Sequence, residues 1–411
     1  MEMKDVVIVA YGRSGAARAF KGSMANMHPV EFGAQILEGV RQRVVDRDGK
    51  QCLDSTEVED VITGCAMQMR EQSMNMSQLI VNRAGWDDVV CGMSINRFCS
   101  SGLQAIALAA NAIAVGQGEC YFAGGVESMS KTFKVFPSYE GKCCDEWLNK
   151  NYPGAYMSMG MTAENVAKDY GITRVEMEQM AVDSHAKAAK AQAEGKLAPS
   201  IIPVKVTDYD GNPVLDENGK EIWCTQDEGI RASTTLEGLA KLKTCFIPEE
   251  EGGLVTAATS SQTNDCAAYV CLMSAEMAER KNIKPIARLK SFAVAGCDAT
   301  RMGLGPKFAT PKALERAGLT VADLDTIEIN EAFASQSLAC IHDLGLPMEK
   351  VNPYGGAMAL GHPLGCTGAI LVGKAIDRLR EIDGKYALIT MCIGGGMGAA
   401  GILERCEEDK A

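Results

Sequence analysis

The sequence predicts an α/β protein in which two similar layered halves enclose an inserted domain. Short apolar runs alternate with longer helical patterns along most of the 411 residues, which is typical of helices packed on a buried sheet. The element order of the first part of the chain returns in the last part, while the stretch at about 126–251 is turn-rich and charged. We therefore expect an N-terminal domain at 1–280, which carries the insertion, and a C-terminal domain at 281–411.

Each half repeats one pattern, in which a turn with a reactive side chain leads into a helix and then into a strand. In the first half, strands are expected at 6–10, 58–64, 89–95 and 120–123, the last ending at Gly124-Gly125, with a helix at 102–115. In the second half, a helix should run from a turn at His362 to about residue 379, followed by a strand at 386–393. Two adjacent amphipathic helices are expected in the insertion, between residues 161 and 194. Facing halves would bring the two turns together at one shared site.

The composition indicates a globular protein whose partners are small molecules. Hydrophobic residues make up 46% of the chain, and 41 basic against 53 acidic residues give a net charge of −12. This balance supplies no general basic surface for a nucleic acid. No stretch approaches the roughly 18 apolar residues that cross a bilayer, and the start of the chain resembles a strand rather than a leader peptide. We expect a cytoplasmic protein without a nucleic-acid or membrane partner.

Sixteen cysteines are scattered along the chain without a Cys-x-x-Cys pair. In a chain of this length without a secretion signal, most of them should be reduced and buried. The four histidines do not fall at zinc-ligand spacing near a cysteine pair, so no metal is expected.

Cys99 is the candidate nucleophile. It lies in INRFCSSGLQAIALAANAI, where a loop becomes an alanine-rich helix. The positive end of a helix dipole favours a thiolate, and free N–H groups there can donate to a developing oxyanion. The alternative interpretation is a buried structural cysteine, which the residues of this segment alone leave open.

His362 is the candidate acid or base. It stands between glycines in GGAMALGHPLGCTGAILVGKA, directly before a proline that suits the first turn of a helix. Such a histidine can polarise a carbonyl or accept a proton. A purely structural histidine in a glycine-rich turn is equally compatible with this segment.

Two further segments carry polar groups at strand ends. Cys392, in ITMCIGGGMGAAG, is either a second acid/base thiol or a small hydrophobe. The glycines at 396, 398 and 401 match a dinucleotide fingerprint, but the chain ends before a crossover helix and a second strand could follow. Asn330 and Glu331, in IEINEAFASQS, either fix a water or a histidine or cap a helix.

Taken together, these segments resemble the thiolase family from end to end. The motifs are, in the family's order, NRFCSSGLQAI around the first cysteine, AGGVESMS, NEAFA, GGAMALGHPLGCTGA around the histidine, and CIGGGMGAAG around the second cysteine. The resemblance implies two α/β/α/β/α halves with an inserted loop domain that binds coenzyme A. It implies coenzyme A and acyl-CoA as substrates, no tightly bound cofactor, and a homodimer or homotetramer.

The resemblance also implies a role for each site residue. Cys99 would carry the acyl group, activated by His362. His362 and a water held by Asn330 would form a first oxyanion hole, the amides of Cys99 and Gly394 a second, and Cys392 would move the proton at C2 of acetyl-CoA. The residues implied in binding coenzyme A and the acyl chain are Arg231, Ser261, Met159, Met302 and Phe333.

Two short segments bear on the substrate. Biosynthetic thiolases usually have Cys-Gly-Ser-Gly and His-Met-Gly where this chain has Cys-Ser-Ser-Gly at 99–102 and Ser-Met-Gly at 158–160. The resemblance is therefore to the degradative members, which cleave 3-ketoacyl-CoA with coenzyme A in β-oxidation. The alternatives are an acetoacetyl-CoA-specific acetyltransferase and a non-catalytic acyl-CoA-binding scaffold. A decarboxylating condensing enzyme shares the fold, but the second cysteine argues against it.

Overall fold

A computed structural model describes residues 3–135 and 144–406. Its strands are β1 Val6–Arg13, β2 Ala17–Arg18, β3 Asp60–Gly64, β4 Cys91–Ile95, β5 Cys120–Ser128, β6 Val204–Lys205, β7 Trp223–Cys224, β8 Asn264–Ser274, β9 Ala287–Gly296, β10 Thr326–Ile329, β11 Tyr386–Ile393 and β12 Met397–Arg405. Its helices are α1 Pro29–Gln42, α2 Met76–Arg83, α3 Ser101–Ala114, α4 Met129–Thr132, α5 Glu146–Asn151, α6 Met159–Tyr170, α7 Arg174–Ala193, α8 Leu236–Leu239, α9 Ala275–Arg280, α10 Gly305–Ala317, α11 Ala334–Leu344, α12 Ala357–Leu360 and α13 Leu364–Glu381.

The large sheet consists of two halves with the same strand arrangement. Its order is β10-β11-β12-β9-β1-β8-β5-β3-β4, with β2 added to β8. Counted outward from the centre, β1, β8, β5 and β3 make two antiparallel pairings and then a parallel one. The series β9, β12, β11 and β10 repeats that pattern. The halves join through β1 and β9, whose antiparallel pairing is described at Ile8 and Ala287. This symmetry confirms the duplicated halves that the sequence predicts.

Helices α3 and α13 occupy equivalent places in the two halves and cross in direct backbone contact. A Cβ on Gly368 would lie 2.3 Å from the backbone nitrogen of Leu103, and one on Gly102 would lie 2.8 Å from the carbonyl oxygen of Gly365. Because no side chain separates the helices at this crossing, their N-terminal ends lie together. The turn before α3 holds Cys99 and the turn before α13 holds His362. The fold thus joins the two candidate turns.

The two long helices of the insertion, α6 and α7, pack onto the C-terminal half. Helices α6 and α7 contact α11, and α7 also contacts α12. A fully buried ion pair ties the insertion to β1, with Arg13 Nη2 donating to Asp227 Oδ2 at 2.8 Å. These contacts fix the inserted helices beside the candidate site.

One expected boundary is wrong. Strand β5 does not end at Gly124-Gly125 but continues to Ser128, beyond the expected start of the insertion at about residue 126. The two glycines serve close packing instead of strand termination. A Cβ on Gly124 would lie 2.0 Å from the carbonyl oxygen of Ala268, and one on Gly125 would lie 2.2 Å from that of Gly365.

Three observations concern the described residues only. No helix among them is both long and apolar enough to cross a bilayer. Their cysteines are free thiols, and they contain no group of three or more histidine, cysteine and acidic side chains placed to hold a metal ion.

Candidate active site

A strained turn presents Cys99. The residue before it, Phe98, has a φ of +44°, which is unusual for a residue with a side chain, and begins a short 3₁₀ turn, Phe98–Ser100. The Phe98 N–H donates to Asn96 Oδ1 at 2.7 Å, and Ser101 Oγ donates to the Phe98 carbonyl oxygen at 2.7 Å. These bonds hold the turn against the start of α3, and the turn packs on α13.

Burial controls the ionisation of Cys99. The side chain is 9% exposed, and loss of hydration raises the pKa of its thiol to about 11. Hydrogen bonds from the backbone N–H groups of Gly394 and of Cys99 itself oppose this rise but do not cancel it. The expectation that the helix start would favour a thiolate is therefore wrong for the free protein, because desolvation outweighs the local dipole.

Cys392 and Gly394 lie next to this turn. Cys392 is fully buried at the end of β11, and burial, with the adjacent Cys99 sulfur adding to the effect, raises the pKa of its thiol well above the usual value. Gly394 follows the strand. A Cβ at Gly394 would lie 3.5 Å from Met159 Sδ and 3.8 Å from the Phe98 ring, so these side chains border the amide that donates to Cys99. The structure thus brings both candidate cysteines and the candidate oxyanion donor together.

His362 is buried and hydrogen-bonded on both sides of its ring. Its Nδ1 lies 2.6 Å from Thr367 Oγ1, and its Nε2 lies 3.3 Å from Asn330 Nδ2. Since the Asn330 amide can only donate, Nδ1–H donating to Thr367 leaves the lone pair on Nε2. Burial lowers the pKa of His362 to about 4, so the imidazole is neutral at pH 7. A neutral ring whose Nε2 lone pair is met only by the Asn330 amide, at 3.3 Å, is suited to accepting a proton.

Asn330 is placed by the end of β10. Its backbone N–H donates to Thr390 of β11 at 2.9 Å. Among the described residues no donor reaches its buried Oδ1. The next residue, Glu331, accepts hydrogen bonds from Ser184 and Asn352 at 2.7 and 2.8 Å and from the N–H of Met358 at 3.2 Å. Through these bonds Glu331 holds the segment before His362 in place. This differs from the helix capping that the sequence left open for this pair of residues.

The residues expected to bind substrate fall into two groups. Met302 and Phe333 belong to the same buried apolar cluster as Cys392, and Met159 packs against that cluster. Ser261 is half-buried beside Phe333, its N–H donating to the Ala332 carbonyl oxygen at 2.9 Å. Met302, Phe333 and Met159 thus share the apolar surroundings of Cys392, and Ser261 lies next to them through Ala332.

Arg231 lies elsewhere, on the exposed surface of the insertion. Its backbone N–H donates to His185 Nδ1 at 3.1 Å, and its carbonyl oxygen accepts from Thr234 Oγ1 at 2.8 Å, so these bonds lie within the insertion. Its assignment to coenzyme A rests on the resemblance alone.

Three residues of this region were missed by reasoning from the sequence. Thr367 Oγ1 bonds His362 Nδ1, and the sequence signals this contact because Thr367 follows His362 by little more than one helical turn. Phe246, in edge-to-face contact with Phe333 at 6.2 Å, carries no local signal. Glu127 is the one acidic residue in the mainly apolar strand β5, and a single acid in such a strand indicates a buried carboxylate with specific partners.

The Cys99 turn packs on α13, the helix that follows His362, and the Gly394 amide lies next to the Cys99 sulfur. A cysteine, a neutral histidine and an amide donor gathered in this way suit covalent transfer of an acyl group, so the class of protein is an acyltransferase. A family model described as "Thiolase, N-terminal domain" matches residues 6–276, and one described as "Thiolase, C-terminal domain" matches residues 283–405. The chain belongs to the thiolase family. The family inferred from the motifs is therefore confirmed.

Relatives match over nearly the whole chain. A 3-ketoacyl-CoA thiolase of Bacillus subtilis (strain 168) is 43% identical over 404 residues, covering 98% of this chain and 100% of the relative. One of Marinomonas sp. (strain MWYL1) is 41% identical, covering 98% of each. The crystal structure of the Bacillus anthracis acetyl-CoA acetyltransferase superposes with a TM-score of 0.87 at 36% identity, covering 98% of this chain and 100% of that one. The thiolase fold expected from the sequence is confirmed.

Proposed function

We propose that this thiolase cleaves 3-ketoacyl-CoA with coenzyme A, giving acetyl-CoA and a shortened acyl-CoA through an acyl thioester on Cys99. The full-length relatives support acyl-CoA C-acyltransferase activity, and those named 3-ketoacyl-CoA thiolase favour this substrate. The observation that carries the proposal is that Cys99, Cys392 and the Gly394 amide lie together, at the turn before α3 and the end of β11.

The first step forms the acyl thioester. His362 Nε2 accepts the Cys99 proton, and the thiolate attacks the C3 ketone carbon. The charge that develops on the ketone oxygen is stabilised by the N–H groups of Cys99 and Gly394, which lie next to the sulfur. These N–H groups are in place before the reaction begins, and they are needed because burial otherwise keeps the Cys99 thiol protonated.

The second step breaks the bond between C2 and C3. Its electron pair leaves as the enolate of acetyl-CoA, whose oxygen is stabilised by His362 and by a water that Asn330 would hold. Cys392 donates its proton to C2. The thiol of coenzyme A then passes its proton to Cys392 and attacks the acyl group, and the released Cys99 sulfur regains its proton from His362.

The direct test is loss of the 3-ketoacyl absorbance when the protein is mixed with 3-ketoacyl-CoA and coenzyme A. Cys99→Ala should abolish both turnover and acylation. Cys392→Ala should still gain an acyl mass on Cys99 but lose carbon–carbon cleavage. Absence of turnover with the wild-type protein at every chain length would leave only the scaffold alternative.

A second candidate is an acetoacetyl-CoA-specific acetyltransferase, favoured by the acetyl-CoA acetyltransferase structure that superposes on this chain. The ratio of kcat/KM for a longer 3-ketoacyl-CoA to that for acetoacetyl-CoA separates the two. A ratio of one or more supports the degradative assignment and a role in fatty acid β-oxidation. A ratio far below one supports the acetyltransferase.

We also propose a homo-oligomer, a dimer or tetramer, built on the edge of the sheet. Among the described residues, β4 pairs with β3 alone, which leaves its other edge open. Met93 on this strand and Val89 just before it are 39% and 63% exposed, and Leu79 on the adjoining helix α2 is 41% exposed. An apolar open edge is a typical pairing surface.

Two further proposals concern organisation and location. The domain division at residue 280, with a coenzyme A-binding loop domain at about 126–251, is testable by limited proteolysis. A cytoplasmic location is supported by the free cysteines of the described residues, which a reducing compartment would preserve.

A further inference from the structure

Glu127 is a fully buried carboxylate near the end of β5 that the reaction above does not use. Its oxygens accept from the N–H groups of Ala66 at 2.8 Å, Gly365 at 2.9 Å and Met67 at 3.2 Å, from Gln72 Nε2 at 2.9 Å and from Cys65 Sγ at 3.6 Å. Every one of these partners is a donor. Among side chains, only a carboxylate has two oxygens that accept without any group that donates, so it can satisfy this many donors at one point.

One of these bonds reaches the histidine turn. Gly365 is in the first turn of α13, three residues after His362, and its N–H donates to Glu127 Oε2. The same place is packed tightly, since a Cβ on Gly125 would lie 2.2 Å from the Gly365 carbonyl oxygen. Glu127 therefore holds the start of α13 in fixed register on β5.

The same oxygen reaches the cysteine turn through two further residues. Ala66, whose N–H donates to Glu127 Oε2, accepts at its carbonyl oxygen from Asn96 Nδ2 at 2.9 Å. Asn96 Oδ1 in turn accepts from the N–H of Phe98 at 2.7 Å, directly before Cys99. A continuous chain of hydrogen bonds thus runs from the Cys99 turn to the start of α13.

We propose that Glu127 is a positioning residue that ties the Cys99 turn to the His362 turn and so sets the path for proton transfer between them. This inference rests on the proposed function of the site. The two turns come from different halves of the molecule, and residues 127 and 365 are 238 positions apart, so no local hydrogen bond could hold their separation. Small errors in such a separation reduce rates strongly.

The test compares Glu127→Asp, which keeps the charge but shortens the reach, with Glu127→Gln, which keeps the length but sets an NH₂ group against donors. We expect kcat for thiolysis to fall about tenfold to a hundredfold in both variants. KM for coenzyme A should stay within twofold of the wild type. The rate at which iodoacetamide alkylates Cys99 at pH 8 should fall in parallel with kcat.

Glu38→Gln is the matched control. Glu38 is a half-buried carboxylate of α1 that accepts from Trp86 Nε1 and from Arg41 Nε, both at 2.8 Å, and α1 packs on α2 and β8. This variant weakens comparable bonds without touching either turn or a proposed substrate-binding residue. Its kcat and alkylation rate should remain at the wild-type level.

Glu127 variants that fold and keep kcat and the alkylation rate within twofold would overturn the proposal. So would an activity loss that only follows the folded fraction measured by circular dichroism. If neither Glu127 variant folds, Asn96→Asp decides, because it removes the donor to Ala66 at an exposed residue; unchanged alkylation there would equally overturn the proposal. A wild type without thiolase activity would refute the proposed function, while the alkylation readout would still test Glu127.

Discussion

Burial adjusts the two central side chains in opposite directions. It raises the pKa of Cys99 to about 11 and lowers the pKa of His362 to about 4. At neutral pH the free site therefore holds a thiol and an imidazole rather than a thiolate and an imidazolium. The charged pair has to form during the reaction, when the substrate carbonyl and the amide of Gly394 can take up the charge.

The ionisation of Cys99 can be followed by alkylation. Because the thiolate is the reactive form, its alkylation rate with iodoacetamide should rise about tenfold per pH unit from pH 7 to pH 10. A free cysteine peptide, with a pKa near about 8.5, should level off within this range. Mass spectrometry of the Cys99 peptide gives the rate. A plateau for Cys99 below pH 9 would mean that the helix start dominates after all.

The lowered pKa of His362 makes stability depend on pH. Between pH 6.5 and pH 4 the unfolded chain binds a proton at this histidine that the folded protein does not bind. The contribution is therefore fully present above pH 6.5 and is lost as the pH falls through 4. Relative to His362→Asn, the wild type should lose up to about 3 kcal/mol of unfolding free energy from pH 7 to pH 4. Urea unfolding of both proteins measures this, and parallel pH curves would contradict it.

At the level of elements, the crossing of α3 and α13 defines the site. Two helices that begin at the Cys99 and His362 turns can place those turns side by side only if their axes approach closely. Gly102 and Gly368 permit this, because a Cβ at either would collide with backbone atoms of the other helix. Backbone atoms cannot move aside as a flexible side chain can.

Gly368→Ala should therefore reduce both stability and activity. We expect a loss of about 1–3 kcal/mol of unfolding free energy. The loss of kcat should exceed what the folded fraction explains, because the helix starts are pushed apart. Denaturant unfolding and steady-state kinetics measure the two effects.

Gly238→Ala is the control for this change. Gly238 lies within α8, and its added Cβ would meet Thr235 Oγ1 at an ordinary 3.4 Å. The change should be neutral, or stabilising by about 0.5–1 kcal/mol, with normal kinetics. Equal effects of the two substitutions would mean that the crossing is not the cause.

At the level of the whole molecule, the two halves differ at their outer edges. The second half ends at β10, whereas the first half carries the additional strand β4, with exposed apolar side chains. An open edge of this kind is protected in solution when a second copy pairs with it. This asymmetry is the structural reason for the proposed homo-oligomer.

Met93→Lys should weaken that association. A charge on β4 would have to be buried against a second copy, so the mass from light scattering should fall towards that of one chain. Val175→Lys is the control, because Val175 is exposed on α7, away from β4, at 63%. Its mass should equal that of the wild type. A Met93→Lys protein that keeps the wild-type mass would place the interface elsewhere.

The sequence by itself determined the fold class and the duplication, and it named the candidate reacting groups. Strand and helix periodicity and the family's motifs are local properties, so Cys99, His362, Cys392 and Asn330 could be named before their surroundings were known. The expected helix at 102–115 differs from α3, Ser101–Ala114, by a single residue at each end.

Only the tertiary structure decided how these groups ionise and which contacts bring them together. The pKa of Cys99 depends on desolvation by segments far away in sequence, so the helix dipole, a local feature, gave the wrong direction. Gly124 and Gly125 look like a strand end until Ala268 and Gly365 are seen to pack against them. Glu127 gains its role from a bond to the opposite half of the molecule. Each of these properties depends on contacts between distant residues, which no local pattern of residues encodes.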